Sequence, residues 1–108
     1  MDEYKELGHE KCSKMILDRL GDNPIYVTFD LDCLDATVAP GTANIEPAFS
    51  GFTMDEARKL IQCLKGKNVI GGDVACLMPT KDNPNNITSL VAASIMFEII
   101  CLISLNLK

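Results

Sequence analysis

The sequence predicts an α/β fold in which a parallel sheet is flanked by helices in a three-layer α/β/α arrangement. Two apolar stretches, residues 25–30 and 68–77, are typical of strands, and they alternate with three stretches of helical apolar spacing. The order helix, strand, helix, strand, helix predicts a βαβ unit with parallel strands and a right-handed crossover. The first strand shows little alternation, which is expected where helices cover both faces of a sheet.

The composition is that of one domain with a sizeable core. The chain has 108 residues, of which 47% are hydrophobic, and a formal net charge of -5 at pH 7. Its basic residues are scattered rather than striped, which argues against a nucleic-acid partner and fits a cationic small molecule better. The cysteines are widely spaced and form no C-x-x-C pair, which favours free thiols in a reducing intracellular compartment such as the cytoplasm: Cys12, Cys33, Cys63, Cys76 and Cys101.

Three helices are predicted around the strands. Apolar positions between residues 2 and 20 recur at three and four residues, and Gly21 ends that helix. Thr53 and Glu56 form a capping-box pattern at the start of a second helix, which runs to about residue 65. The last helix begins near residue 87 or 88 and continues to about residue 104.

The last helix is apolar enough to raise the question of a membrane span. Glu98 stands in the middle of the apolar run at residues 90–105, and the run is short for a bilayer. A buried amphipathic helix is therefore favoured, and no membrane partner is expected. The first residues are acidic and contain no apolar run, so no signal peptide is predicted.

Three carboxylates follow the first strand, in the stretch FDLDCLD at residues 29–35. Ligands of open parallel sheets bind beyond the carboxyl ends of the strands, and a loop as long as that predicted from about residue 33 to 52 is usually functional. Asp30 and Asp32 are two residues apart, so their carboxylates would point the same way if the strand continued that far. Because adjacent carboxylates repel unless a dication neutralises them, we predict a metal site at Asp30 and Asp32. The alternative is that one Asp caps the loop while the other is solvated.

Two known chemistries place an Asp-x-Asp pair at the end of a strand. The stretch FDLDCL resembles the opening motif of the haloacid dehalogenase-like phosphatases, which use magnesium. Those enzymes usually continue with Gly-Thr and carry a second acidic pair on a later strand. This chain continues with DATVAPGT at residues 35–42, so the phosphatase alternative fits poorly.

A second chemistry accounts for a longer set of motifs along the chain. They are TFDLD at residues 28–32, Ala36, Pro40-Gly41, GFT at residues 51–53, NVIGGDV at residues 68–74, Pro79, Asp82, and the pairs Ile87-Thr88, Ala92-Ala93 and Phe97-Glu98 in the last helix. These motifs resemble the third signature of the ureohydrolases, the arginase and agmatinase family, and are most similar to its agmatinase-like branch. The resemblance covers residues 26–103. It implies a ureohydrolase-like fold of which residues 1–108 form the C-terminal part, so that the three-layer arrangement is incomplete.

The resemblance also implies a site and a reaction. Asp30 and Asp32 would be ligands of a two-manganese centre, with Asp32 as the candidate bridging ligand. In that family a hydroxide made available by the two ions attacks a guanidinium carbon, and the products are urea and an amine. Asp35 would lie near the substrate, although a surface turn explains it equally well. Cys76 occupies the position of a Glu that pairs with the guanidinium, and a neutral thiol cannot make that charge-assisted contact.

Several ligands of the family centre are absent from this sequence. The family takes them from a His on an earlier strand and from an Asp-x-His-x-x-x-Asp cluster, whereas the one histidine here is His9, outside any metal spacing. We therefore expect the chain alone to be inactive and the full-length parent to be a homo-oligomer. A different alternative is a non-catalytic fragment or pseudoenzyme that acts as an interaction module through an exposed sheet edge.

Overall fold

The computed structural model describes residues 1–42 and 51–107, and the predicted order of helices and strands is confirmed within them, except that two helices precede the first strand. The helix predicted to end near residue 104 continues to Asn106, and the second strand is shorter than predicted. The elements are α1 (Asp2–Leu7), α2 (His9–Leu20), β1 (Ile25–Asp30), α3 (Met54–Gln62), β2 (Val69–Ala75) and α4 (Ile87–Asn106), with 3-10 turns at Leu31–Cys33 and Pro79–Lys81.

The two strands form a parallel sheet, which confirms the predicted α/β class. Ile25 pairs with Val69 and Asp30 pairs with Ala75, with one shift of register after Ile25. Parallel strands need a crossover connection, and α3 lies in it. Because the strands run in the same direction, their carboxyl ends meet at one edge of the sheet.

One face of the sheet packs against the helices. Gly72 lies under α4 so closely that a Cβ atom there would be 2.6 Å from Cγ2 of Ile99 and 2.8 Å from the carbonyl oxygen of Val27. Only glycine fits this approach without a shift of the helix. The core on this side consists of apolar residues from both strands, α3 and the turn after it, α4, and the loop after β1: Ile25, Leu31, Leu34, Ala39, Ala57, Ile61, Leu64, Val69, Val91, Ile95, Ile99 and Leu102.

The opposite face of the sheet is open within the described residues. Tyr26 is 59% exposed and Ile70 is 61% exposed. Asp73 lies on this face and accepts hydrogen bonds from the hydroxyls of Tyr26 at 2.9 Å and Thr28 at 2.7 Å. The described helices therefore cover one face, and the layered arrangement is incomplete as predicted.

The helix predicted over residues 2–20 is two helices, so that prediction was wrong. Gly8 has a φ of 85°, in the left-handed region, and separates α1 from α2 although the apolar spacing continues across it. Gly21 ends α2 as predicted, with a φ of 57°. The capping box is also confirmed, since the Thr53 hydroxyl accepts from the amide of Glu56 and the Glu56 carboxylate accepts from the amide of Thr53.

α4 is apolar on its exposed side as well as its buried side. Ile95 and Ile99 are almost fully buried, whereas Leu90 is 62% exposed and Phe97 is 66% exposed. The prediction of an amphipathic helix was therefore wrong. By length and composition alone it could cross a membrane, and its buried side contacts β2 and α3.

Candidate metal centre

Asp30, Asp32 and Cys76 converge at the carboxyl ends of the two strands. Asp30 is the last residue of β1, and Cys76 directly follows Ala75, the partner of Asp30 in β2. Each of the three residues offers one ligand atom, and these atoms lie within 4.8 Å of one another. The predicted proximity of the two carboxylates is confirmed.

The reason for that proximity differs from the expectation. β1 ends at Asp30, and Asp32 belongs to the 3-10 turn Leu31–Cys33, so the alternation of a continued strand does not apply. Instead, Oδ1 of Asp30 accepts a hydrogen bond from the backbone N–H of Asp32 at 2.9 Å. Leu31, which is fully buried, anchors the turn in the core between them.

The carboxylates are poorly satisfied by the protein. Oδ1 of Asp32 is buried from solvent and has no hydrogen-bond partner among the described residues. A buried carboxylate oxygen without a partner is costly, and a bound cation relieves that cost. The donor set, two carboxylates and one thiol, fits a divalent cation.

Two thiols near the carboxylates are held in the protonated form. The Cys76 thiol donates a hydrogen bond to Asp30, and this bond raises the pKa of Cys76, with desolvation and the charges of Asp30 and Asp32 adding to the effect. Burial of its sulfur raises the pKa of Cys33 to about 11, although that residue as a whole is exposed, and the charge of Asp30 adds to the shift.

Cys76 also has an unusual backbone conformation. Its φ is 72°, in the left-handed region that residues other than glycine rarely adopt. This conformation ends β2 abruptly and costs about 1–3 kcal/mol in typical cases. The sequence identified Cys76 by its position in a family motif, but its contact with Asp30 required knowledge of the strand pairing.

Asp35 lies in a turn of its own. Its Oδ1 accepts hydrogen bonds from the Thr37 hydroxyl at 2.7 Å and the Thr37 amide at 2.9 Å, and these bonds lower the pKa of Asp35. The three-residue group of candidate ligands does not include Asp35. Its predicted place near a substrate stays a prediction, beside the alternative of a surface turn.

The end of the long loop holds the 3-10 turn in place. The Asp35 amide donates to the carbonyl of Phe52, and the Phe52 amide donates to the carbonyl of Cys33, both at 2.9 Å. A Cβ atom at Gly51 would lie 2.5 Å from the amide nitrogen of Asp35, so this approach requires glycine. Residues 43–50 of the predicted loop lie outside the described residues.

A second acidic residue, Asp82, has a structural position that the sequence did not reveal. Its Oδ1 accepts from the amides of Asn83 and Thr88, and its Oδ2 accepts from the amide and hydroxyl of Ser89. Thr88 and Ser89 are in the first turn of α4, so Asp82 satisfies amides that a helix start leaves unpaired. A Cβ atom at Gly41 would lie 2.9 Å from Cβ of Asp82, which ties the Pro40-Gly41 motif to this cap.

Two other features lie apart from this group. His9 is at the start of α2, with its Nε2 atom 3.4 Å from the Ser13 hydroxyl, and is not among the grouped ligands. A groove of about 560 Å³ between α3 and α4 is lined in part by Arg58, Phe97 and Glu98. Its lining includes none of Asp30, Asp32 and Cys76, so we place the chemistry at the strand ends.

The fold and the strand-end carboxylates together define a class of α/β protein with a candidate metal centre. A family model described as the Arginase family matches residues 1–102, and the chain belongs to that family. The predicted resemblance is thereby confirmed.

Similar proteins agree with this assignment. An agmatinase from Enterobacter sp. is 44% identical over 98 residues, which is 91% of this chain and 31% of that protein. A guanidinopropionase from Pseudomonas aeruginosa is 38% identical over 104 residues, or 96% of this chain and 32% of that protein. The structure of proclavaminate amidino hydrolase from Streptomyces clavuligerus matches with a TM-score of 0.90 at 31% identity, covering 97% of this chain and 35% of that chain. The chain thus spans about a third of the length of these relatives.

Proposed function

We propose that this chain carries part of the active site of a metal-dependent ureohydrolase, which hydrolyses a guanidino compound to urea and an amine. Membership of the Arginase family and similarity to an agmatinase and a guanidinopropionase support the proposal. The observation that carries it is the convergence of the Asp30 and Asp32 carboxylates at the strand ends, beside Cys76. In the complete family site the expected cations are two Mn²⁺ ions.

Asp30 and Asp32 are the residues that would hold manganese. Asp30 is oriented by the amide of Asp32, and Oδ1 of Asp32 is buried without a partner in the described part of the chain. Two carboxylates neutralise the charge of one dication, which removes their mutual repulsion. When bound, manganese lowers the pKa of water and so supplies a nucleophile at neutral pH.

The substrate is proposed to be a guanidino compound other than agmatine. Cys76 stands at the Glu position of the family motif, and its protonated thiol offers no negative charge to a guanidinium. Asp35 is the carboxylate we propose for substrate contact, because its pKa is lowered and it stays ionised, and because the turn that holds it follows the metal ligands directly.

We propose that the 108-residue chain alone releases no urea. The sequence contains one histidine, and two carboxylates with one thiol do not form the bridged pair of the family. The parent is proposed to be a homo-oligomer in a reducing compartment such as the cytoplasm. The five cysteines, all of them free, support that compartment.

The first test is titration of the chain with Mn²⁺ by calorimetry. We expect measurable binding that is lost in the double variant Asp30→Asn, Asp32→Asn. Asp73→Asn is the matched control, because Asp73 lies on the open sheet face and its oxygens accept from Tyr26 and Thr28. Unchanged binding in the double variant would rule out the proposed ligands.

The activity itself is tested with a panel of guanidino compounds that includes agmatine and 3-guanidinopropionate. We expect no urea from the chain alone, and urea release that depends on added Mn²⁺ would contradict that expectation. The Arginase family match disfavours the phosphatase alternative.

A non-catalytic interaction module is the second candidate, and the exposed Tyr26 and Ile70 on the open face favour it. The measurement that separates it from the first is binding of Mn²⁺. A chain that binds no Mn²⁺, but associates in sedimentation experiments through a surface weakened by Ile70→Asp, would support the module.

A further inference from the structure

We propose that Cys76 is itself a metal ligand, so that Asp30, Asp32 and Cys76 of this chain form a three-ligand site for a thiophilic divalent cation such as Zn²⁺. The inference rests on the proposed metal pair Asp30 and Asp32, and it names the class of cation that the chain holds by itself. It gives Cys76 a role other than that of a substituted substrate contact.

The geometry of the three side chains carries the inference. Their ligand atoms lie within 4.8 Å of one another. Two ligands of one tetrahedral Zn²⁺ are roughly 3.5 Å apart, given Zn–S and Zn–O bonds of about 2.3 and 2.1 Å. The ligand atoms therefore need to approach one another by about 1 Å to bind one ion.

The unpartnered oxygen of Asp32 is an independent indication of a ligand. This atom is buried, and it has no hydrogen-bond donor within the described ranges. The other two groups already face each other, because the Cys76 thiol donates to the Asp30 carboxylate. A cation between them replaces that hydrogen bond, and the thiol proton leaves to solvent as the metal–sulfur bond forms.

The presence of sulfur determines which cation is preferred. A thiolate favours Zn²⁺ and related thiophilic ions, whereas manganese prefers oxygen and nitrogen ligands. Asp30 is exposed, so water has access to the fourth position of a tetrahedral site. Cys76 directly follows β2 and has a φ of 72°, so the strand ends at the residue whose sulfur lies near Asp30.

The test uses Cd²⁺ as a spectroscopic probe, because Cd²⁺–thiolate bonds absorb in the ultraviolet and Cd²⁺–carboxylate bonds do not. The 108-residue chain is titrated with Cd²⁺, and Zn²⁺ is then added as a competitor. We expect a thiolate-to-metal absorption that Zn²⁺ displaces. In Cys76→Ser the absorption is expected to vanish and the affinity for Zn²⁺ to fall by at least about tenfold, while the affinity for Mn²⁺ is unchanged.

Two further variants make the result specific. Cys33→Ser is the matched control, since Cys33 lies in the 3-10 turn beside Asp32 and should keep the absorption. Cys76→Gly removes the sulfur and suits a positive φ, so its loss of absorption cannot be attributed to unfolding when the circular dichroism is unchanged.

The outcomes separate this inference from the proposed function. If Cys76→Ser keeps the absorption, or if Cys33→Ser loses it, Cys76 is not the ligand. If Mn²⁺ binding depends on Asp30 and Asp32 while Cd²⁺ binding does not depend on Cys76, the proposed metal pair stands and this inference falls. If neither ion binds the folded chain, both fall.

Discussion

Two acidic regions of this molecule differ in how the protein satisfies their carboxylates. Asp82 accepts four hydrogen bonds, three from backbone amides and one from a hydroxyl, at 2.9 to 3.2 Å. Asp30 accepts one from the amide of Asp32 and one from the Cys76 thiol, and Oδ1 of Asp32 has no partner within the described residues. In the first region the fold itself satisfies the carboxylate, whereas in the second region one carboxylate oxygen is buried without a donor among the described residues.

The contrast separates one structural carboxylate from the two that we propose as metal ligands. Asp30, Asp32 and Asp82 all belong to motifs that resemble the ureohydrolases, so the resemblance alone does not distinguish their roles. The hydrogen-bond donors do distinguish them, because amides of α4 satisfy Asp82 as a helix cap, whereas Asp32 keeps a buried oxygen without a donor in the described part of the chain, as expected of the proposed metal ligands.

The largest effect on stability is expected from Asp82→Ala. Loss of the carboxylate leaves the amides of Thr88 and Ser89 without their acceptor at the start of α4. We expect a clear fall in the urea midpoint, measured by circular dichroism, and a smaller fall for Asp82→Asn, which keeps one oxygen acceptor. If Asp82→Ala were no less stable than Asp30→Ala, the contrast between the regions would be wrong.

Thr88→Val tests a second contact at the start of α4, the hydrogen bond between the Gly41 amide and the Thr88 hydroxyl. The Thr88 hydroxyl is fully buried and accepts from the amide of Gly41 at 2.8 Å. Valine has the same shape but leaves that amide unpaired, so we expect a loss of about 1–3 kcal/mol in the free energy of unfolding. Ser94→Ala is the control, since Ser94 donates on an exposed stretch of α4 and should change little.

The pH dependence of stability should reflect Asp82. Burial raises the pKa of Asp82, but the amides of Thr88 and Ser89 outweigh it and lower the pKa to about 2. Because the folded pKa lies below the unfolded value of about 3.9, the stabilisation is complete above that value and is lost as the pH falls towards 2. The stability gap between the unmodified chain and Asp82→Asn should therefore narrow between about pH 4 and pH 2. If the difference in stability between the two proteins were constant over this range, the ionised Asp82 carboxylate would not be its cause.

The smallest effect is expected from Asp32→Asn in the absence of cations. The change removes one of two neighbouring charges and breaks no hydrogen bond to Oδ1 of Asp32. We expect the free energy of unfolding to stay within about 0.5 kcal/mol or to rise, in a chelator-treated sample. A large loss of stability would instead mark Asp32 as structural.

Much of the fold could be predicted because its signals are local. The apolar runs of the strands, the Thr53–Glu56 capping box and the stop at Gly21 depend on neighbouring residues, and all three predictions are confirmed. The break at Gly8 was missed because the apolar spacing on its two sides is in phase. The role of Asp82 was missed because its partners lie six and seven residues further on, in a helix whose start has no capping side chain at Asn86.

The pattern of residues along the chain was enough to place Asp30 and Asp32 at a strand end and to name the family. It could not place Cys76 beside them, because that contact depends on the pairing of Asp30 with Ala75, which joins residues 45 positions apart. It also could not show that β1 ends at Asp30. A 3-10 turn with the buried Leu31 follows, and this turn places the carboxylate of Asp32 near that of Asp30. Strand pairing and burial are properties of the packed molecule, so only the tertiary structure decides which side chains share one site.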